Sequence, residues 1–111
     1  MNRDEITKMP AGQEMDILIA EKVLKITTEQ WNEHFFRGAS RFSVDMEPAF
    51  VVLQMLRPEY SFQILSNMSN GDYFVALTGV GSNKKFCFAT AETVPLAICR
   101  AALFTIEGEE R

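Results

Sequence analysis

The chain has 111 residues, 47% of them hydrophobic and 23% charged, with a formal net charge of −4. This is the balance of one globular domain, not of a disordered or fibrous chain. A net acidic domain is a poor general binder of nucleic acid, because such binding depends on neutralising phosphates with Lys and Arg.

No apolar run approaches the roughly 18 residues of a membrane span, and Met1–Glu5 carries no secretory pattern. The two cysteines, Cys87 and Cys99, lie inside apolar segments and lack metal-ligand spacing. Reduced, buried thiols and a cytosolic setting are expected.

Residues 3–9 suit a short helical turn that Pro10 ends, and Ala11-Gly12 is a break. From Gln13, the residues Met15, Leu18, Ile19 and Val23 recur at helical spacing as one apolar stripe. Glu14, Asp16, Glu21, Lys22 and Lys25 are expected on the opposite, solvated face. Residues 26–43 are irregular, and connections of such length are uncommon in compact domains unless they bind something or are disordered. Proline placement locates the next helix. With Asp45 as cap, Pro48 falls in the first turn, where its missing N–H has no intrahelical partner to lose. With Ser43 as cap it would cost a hydrogen bond, about 3 kcal/mol. Arg57-Pro58 ends that helix.

Three strands follow. Tyr60, Phe62 and Ile64 alternate with polar residues, Asn70-Gly71 is a strong hairpin turn, and Tyr73–Leu77 and Lys85–Ala89 are joined by a second turn over Gly79–Asn83. The second and third strands are apolar on both alternating sets, so part of the sheet is expected to be covered on both faces. The same proline argument puts the last cap at Thr93, with Leu96, Cys99, Leu103 and Ile106 as the buried stripe and Gly108 beyond the end. These elements predict a single domain over residues 1–111, with 1–10 an N-terminal arm, 26–43 an irregular connection and 109–111 a frayed tail. The fold class is α+β, a three-layer α/β/α sandwich built on a three-stranded antiparallel meander.

Two stretches carry a family resemblance: Met9-Pro10-Ala11-Gly12 with Leu18–Leu24, and Glu92-Thr93-Val94-Pro95-Leu96-Ala97-Ile98-Cys99-Arg100-Ala101-Ala102-Leu103. In these the chain resembles the phage ABA-sandwich domain family. The resemblance spans residues 5–25, 42–56 and 72–103. It implies a layered fold and a phage or prophage origin, and it supplies no catalytic residues, the family's molecular function being unassigned. A second likeness is topological. The α-β-β-β-α order over 45–107 is that of double-stranded-RNA-binding domains, which use lysines at the start of the last helix. Here that position reads Ala91-Glu92-Thr93, so a nucleic-acid partner is disfavoured.

The candidate chemistry is sparse. His34 is the only histidine, and no ligand spacing implies a metal or a cofactor. No nucleophile, base and charge stabiliser come together in the pattern, so an enzyme is not expected. Two segments remain as binding candidates. Trp31, His34, Phe35, Arg37 and Arg41 carry the aromatic and arginine character of interface hot spots, although aromatic side chains are more often simply buried. Ser82, Lys84 and Lys85 follow the glycines of Gly79–Lys85 and could cradle a phosphate, but this loop joins two strands and lacks the helix N-terminus that phosphate loops use. The expectation is an accessory protein that binds a host or phage protein. A nucleotide-binding protein that sequesters a defence signal is the alternative, and binding of double-stranded RNA comes third.

Overall fold

The computed structural model describes residues 3–25, 41–66, 71–81 and 85–107. Helix α1 (Arg3–Lys8) precedes α2 (Gln13–Leu18), which runs on as a π-helical turn over Ile19–Val23. Helix α3 (Met46–Leu56) leads into β1 (Tyr60–Ser66), β2 (Tyr73–Gly79) and β3 (Phe86–Ala91), and α4 (Val94–Glu107) closes the chain. The strands form one antiparallel sheet in the order β1-β2-β3. This is the expected α+β sandwich.

The caps form where proline chemistry requires. Asp45 is extended at the head of α3, so Pro48 sits in the first turn. At α4 the Leu96 N–H donates to Thr93 Oγ1 at 3.4 Å and the Ala97 N–H donates to the Thr93 carbonyl at 3.1 Å. Gly12 precedes α2 at φ 151° and ψ −168°, a region that essentially only glycine occupies. At the far end of α2, the Leu24 N–H donates to the Ile19 carbonyl five residues back, at 3.0 Å.

In an antiparallel pair, residues opposite each other share a face. One face of the sheet carries Phe62, Leu77 and Cys87, then Ile64, Val75 and Ala89. Helix α4 lies against this face. Its residues Leu96–Cys99 and Ala101–Thr105 are all buried, so it is enclosed on nearly every side, as an all-apolar helix must be. The outer helices close it in. Ile6 of α1, Met15 and Ile19 of the α2 region, and Ala49, Val52 and Leu53 of α3 share its core. Phe50 meets Phe62 of β1 edge-on, with centroids 6.2 Å apart. The other face of the sheet carries Ser61, Gln63 and Leu65 on β1, Phe74, Ala76 and Thr78 on β2, and Phe86, Phe88 and Thr90 on β3. Ala76 is buried and Phe74 half-buried there, whereas Leu65, Phe86 and Phe88 are exposed. Among the described residues, the helices that enclose α4 stand on the Val75 side.

Two polar devices fix the outer helices. Arg100, the one charged residue of the described α4 side chains, reaches out of the core. Its Nη1 donates to the Thr90 carbonyl at 2.9 Å and its Nη2 to the Met9 carbonyl at 3.1 Å, which ties the end of β3 and the exit of α1 to one guanidinium. Arg3 lies 4.4 Å from the Phe104 ring centroid and holds the start of α1 on the same helix.

The second device corrects the sequence reading. Asp16, expected on the solvated face of α2, is only 6% exposed. Its Oδ1 accepts from the Ser43 backbone N–H at 2.8 Å and from Ser43 Oγ at 2.7 Å. Ser43 Oγ in turn accepts from the Gly12 N–H at 2.9 Å. A continuous chain of donors therefore runs from the start of α2 through the turn at 41–44 to the carboxylate. Ser43→Ala removes one donor to the buried carboxylate and the acceptor of the part-buried Gly12 N–H, and should cost about 1–3 kcal/mol in urea unfolding. Asp16→Ala should cost a similar amount, and the double variant clearly less than the sum, because the two residues form one network. Additive losses would show that the two side chains act separately.

Candidate functional site

Of the residues singled out from sequence, Trp31, His34, Phe35, Arg37, Ser82 and Lys84 lie outside the described residues. Two can be placed. Lys85 is half-buried at the foot of β3, and its Nζ donates to the Thr105 carbonyl in the last turns of α4. A cation there complements the negative end of the helix dipole and satisfies a terminal carbonyl. Arg41 is exposed at the head of the turn that Ser43 and Asp16 fasten. Its carbonyl accepts from the Val44 N–H at 3.1 Å and the Asp45 N–H at 2.9 Å.

The fastened turn presents a surface that the sequence reading did not single out. Ser43 points inward to Asp16, so Val44 points outward and is exposed. Helix α3 then buries Ala49, Val52 and Leu53 and leaves Met46 and Phe50 on one flank of that stripe and Val51 and Met55 on the other. Met46 is 44% exposed and Met55 60%. Arg41, Val44, Met46 and Phe50 are thus neighbours along one turn and the first turns of one helix. A fully solvated helix face would carry charges here, and Glu47 is the one charged residue of α3, with Gln54 its one neutral polar side chain. The sequence signal was present as a stripe too wide for one buried face, since Phe50 and Val51 bracket it. What it lacked was the direction in which the helix faces.

The cysteines are packing residues. Cys87 and Cys99 are both buried, and neither is in a disulfide. Burial pushes the Cys99 thiol well above its ordinary value, and the nearby negative charge of Asp16 raises it further. A thiol so protonated is a poor nucleophile. Among the described residues, no three His, Cys, Asp or Glu side chains converge as a metal site requires, and no helix is long and apolar enough to cross a membrane.

Comparison with known proteins agrees with this architecture. The sequence matches the phage ABA sandwich domain over residues 17–103. The chain belongs to the phage ABA sandwich family. The matched span opens inside α2 and closes inside α4, so it takes in the whole sheet and most of the helix beneath it. The fold is also that of a phage protein from Bacillus cereus ATCC 14579, known from a 2.0 Å crystal structure. The two share 25% identity at a TM-score of 0.64, over 86% of this chain and 94% of that one. No curated protein matches the sequence.

The raised Cys99 pKa has a measurable consequence. The folded chain keeps a proton that the unfolded chain releases above its ordinary thiol value of 9.0. The stability linked to this group is whole below that pH and falls as the pH rises further, by about 1.4 kcal/mol per pH unit. Cys99→Ala should therefore show a flatter alkaline stability profile than wild type, even though it is less stable at neutral pH. Parallel profiles above pH 9 would mean that Cys99 does not contribute.

Proposed function

We propose that this phage protein is a non-enzymatic accessory protein that works in the cytosol of the infected cell by binding a host or phage protein. The surface it offers is Arg41, Val44 and the flanks of α3. The observation that carries this reading is the exposed apolar set Val44, Met46, Phe50, Val51 and Met55, gathered on one helix and the turn before it. Aromatic residues, Met and Arg are enriched at protein interfaces. Methionine's flexible thioether adapts to an irregular partner surface. The buried Asp16–Ser43 link holds the turn in place, so the surface is presented by fixed backbone and little ordering is needed on binding. The nucleotide alternative draws less support, because Lys85 is engaged with the end of α4.

The positions of the two methionines allow a clean test. Met46 opens α3 and Met55 lies in its last turn. Glu at the first and Lys at the second each suit the helix dipole, so Met46→Glu/Met55→Lys should fold as wild type, within about 0.5 kcal/mol. Immobilised wild type should retain a protein from infected-cell lysate that this variant retains at least about tenfold more weakly, a difference of about 1.4 kcal/mol. Equal retention by the two would remove this surface from the binding site.

A further inference from the structure

Residues 3–25 stand apart from the rest of the shell around α4. Helices α1 and α2 have six residues each, too few to stay helical without support. The buried residues of this stretch are Ile6, Met15 and Asp16, with Ile19 and Ala20 of the π-helical turn. It rests on α4 through α1 at one end and the π-helical turn at the other. The three strands, by contrast, are paired along their whole length, and α3 is tied to them through Phe50 on Phe62.

Three contacts fasten this stretch. Arg3 lies over the Phe104 ring at 4.4 Å. The Met9 carbonyl accepts from Arg100 Nη2 at 3.1 Å. Asp16 Oδ1 accepts from Ser43 twice, at 2.8 and 2.7 Å. The joints of the stretch carry backbone strain. Gly12, between the two helices, has φ 151°, and Lys25, just past the π-helical turn, has φ 56°. Lys25 is the one non-glycine residue with positive φ among the described residues, a conformation that a Cβ disfavours. The docked position is therefore held against local strain by a few contacts.

What these contacts cover is one side of α4. At 100° per residue, Leu96, Cys99, Arg100, Leu103 and Phe104 occupy one continuous arc of the helix. Arg100 and Phe104 touch the stretch directly, and Cys99 lies close enough to Asp16 to feel its charge.

We propose that residues 3–25 are a strap that opens as one unit while the sheet, α3 and α4 stay folded, uncovering the side of α4 that carries Leu96, Cys99 and Leu103. Opening takes Asp16 away from Ser43, so it also releases the turn that holds Arg41 and Val44. The covered side is apolar, so the open form is minor at rest. It is nevertheless far more populated than the unfolded chain, because it gives up a few contacts rather than the whole core.

Cys99 is the built-in probe of this opening. Iodoacetamide labelling of the native protein at about pH 8, resolved by site after digestion, gives the rate at Cys99. Division by the rate in the unfolded chain gives the opening constant, to be set beside the global unfolding constant from a urea titration. The opening constant should exceed the global one by at least about tenfold and should rise only weakly with urea, since little surface is exposed. Val75→Ala alters a residue buried where the sheet meets α4. It should raise the global constant about tenfold or more and leave the opening constant unchanged. Arg3→Ala, at the far end of the strap from Asp16, should raise the opening constant about threefold, and Ser43→Ala about tenfold. A Cys99 rate that follows global unfolding in size and urea slope would overturn the proposal. So would a Val75→Ala variant that speeds Cys99 labelling in step with unfolding, or an Arg3→Ala or Ser43→Ala variant that leaves it unchanged. The measurement needs no lysate partner, so its outcome is separate from that of the α3 surface.

Discussion

The structure depends on the burial of α4 on nearly all sides. An amphipathic helix needs one neighbour. A helix with Leu96, Ala97, Ile98, Cys99, Ala101, Ala102, Leu103 and Phe104 all buried needs a complete shell, and no single element supplies one. The sheet covers one side, and α1, α2 and α3 divide the rest. This accounts for a three-stranded sheet and several short helices around one long helix. Alanines at 97, 101 and 102 keep α4 narrow enough for those neighbours to approach. Enlarging any of them would push a surrounding element away, with the cost of an overpacked core.

A shell of short elements needs fastening, because short helices are marginal alone. Polar groups at the rim supply it. Arg100 holds α1 and β3 through two carbonyls, Lys85 holds the foot of β3 to the end of α4, and Asp16 with Ser43 holds α2 to the turn before α3. Each joins elements distant in sequence, and each sits where apolar contact runs out.

Much of this was legible in the sequence. Pro48 and Pro95 located two helix starts through the one place each proline is tolerated, and Pro58 located an end. Alternation marked the strands, and the apolar character of both faces of β2 was visible in Tyr73–Leu77. Asp16 was misread for a physical reason. A carboxylate beside a buried stripe is usually solvated, and only the distant Ser43, with a donor on both its backbone and its side chain, makes burial affordable. Local pattern carries no trace of a partner 27 residues away. Lys85 was a candidate phosphate contact in a loop better explained as a turn between strands, and its partner at Thr105, 20 residues away, is likewise invisible to local pattern. Of the two candidates within the described residues, Arg41 lies on the exposed surface that α3 shares and Lys85 does not.

The division of labour within each element explains why exposed apolar surface survives. Once α4 is enclosed, every neighbour has spent one face on it and is free on the other. The free faces of α1 and α2 are largely polar, as Arg3, Asp4, Glu5, Lys8, Glu14 and Glu21 show. Those of α3 and the sheet are not. The fold does not require Met55, Phe86 or Phe88 to be apolar, since polar residues at those positions would leave the shell around α4 intact. An exposed apolar side chain that packing does not demand is a liability in water, and among the described residues most of the large ones lie on these two faces. The inner sides of these elements are thus set by α4, and the outer sides are released from that constraint.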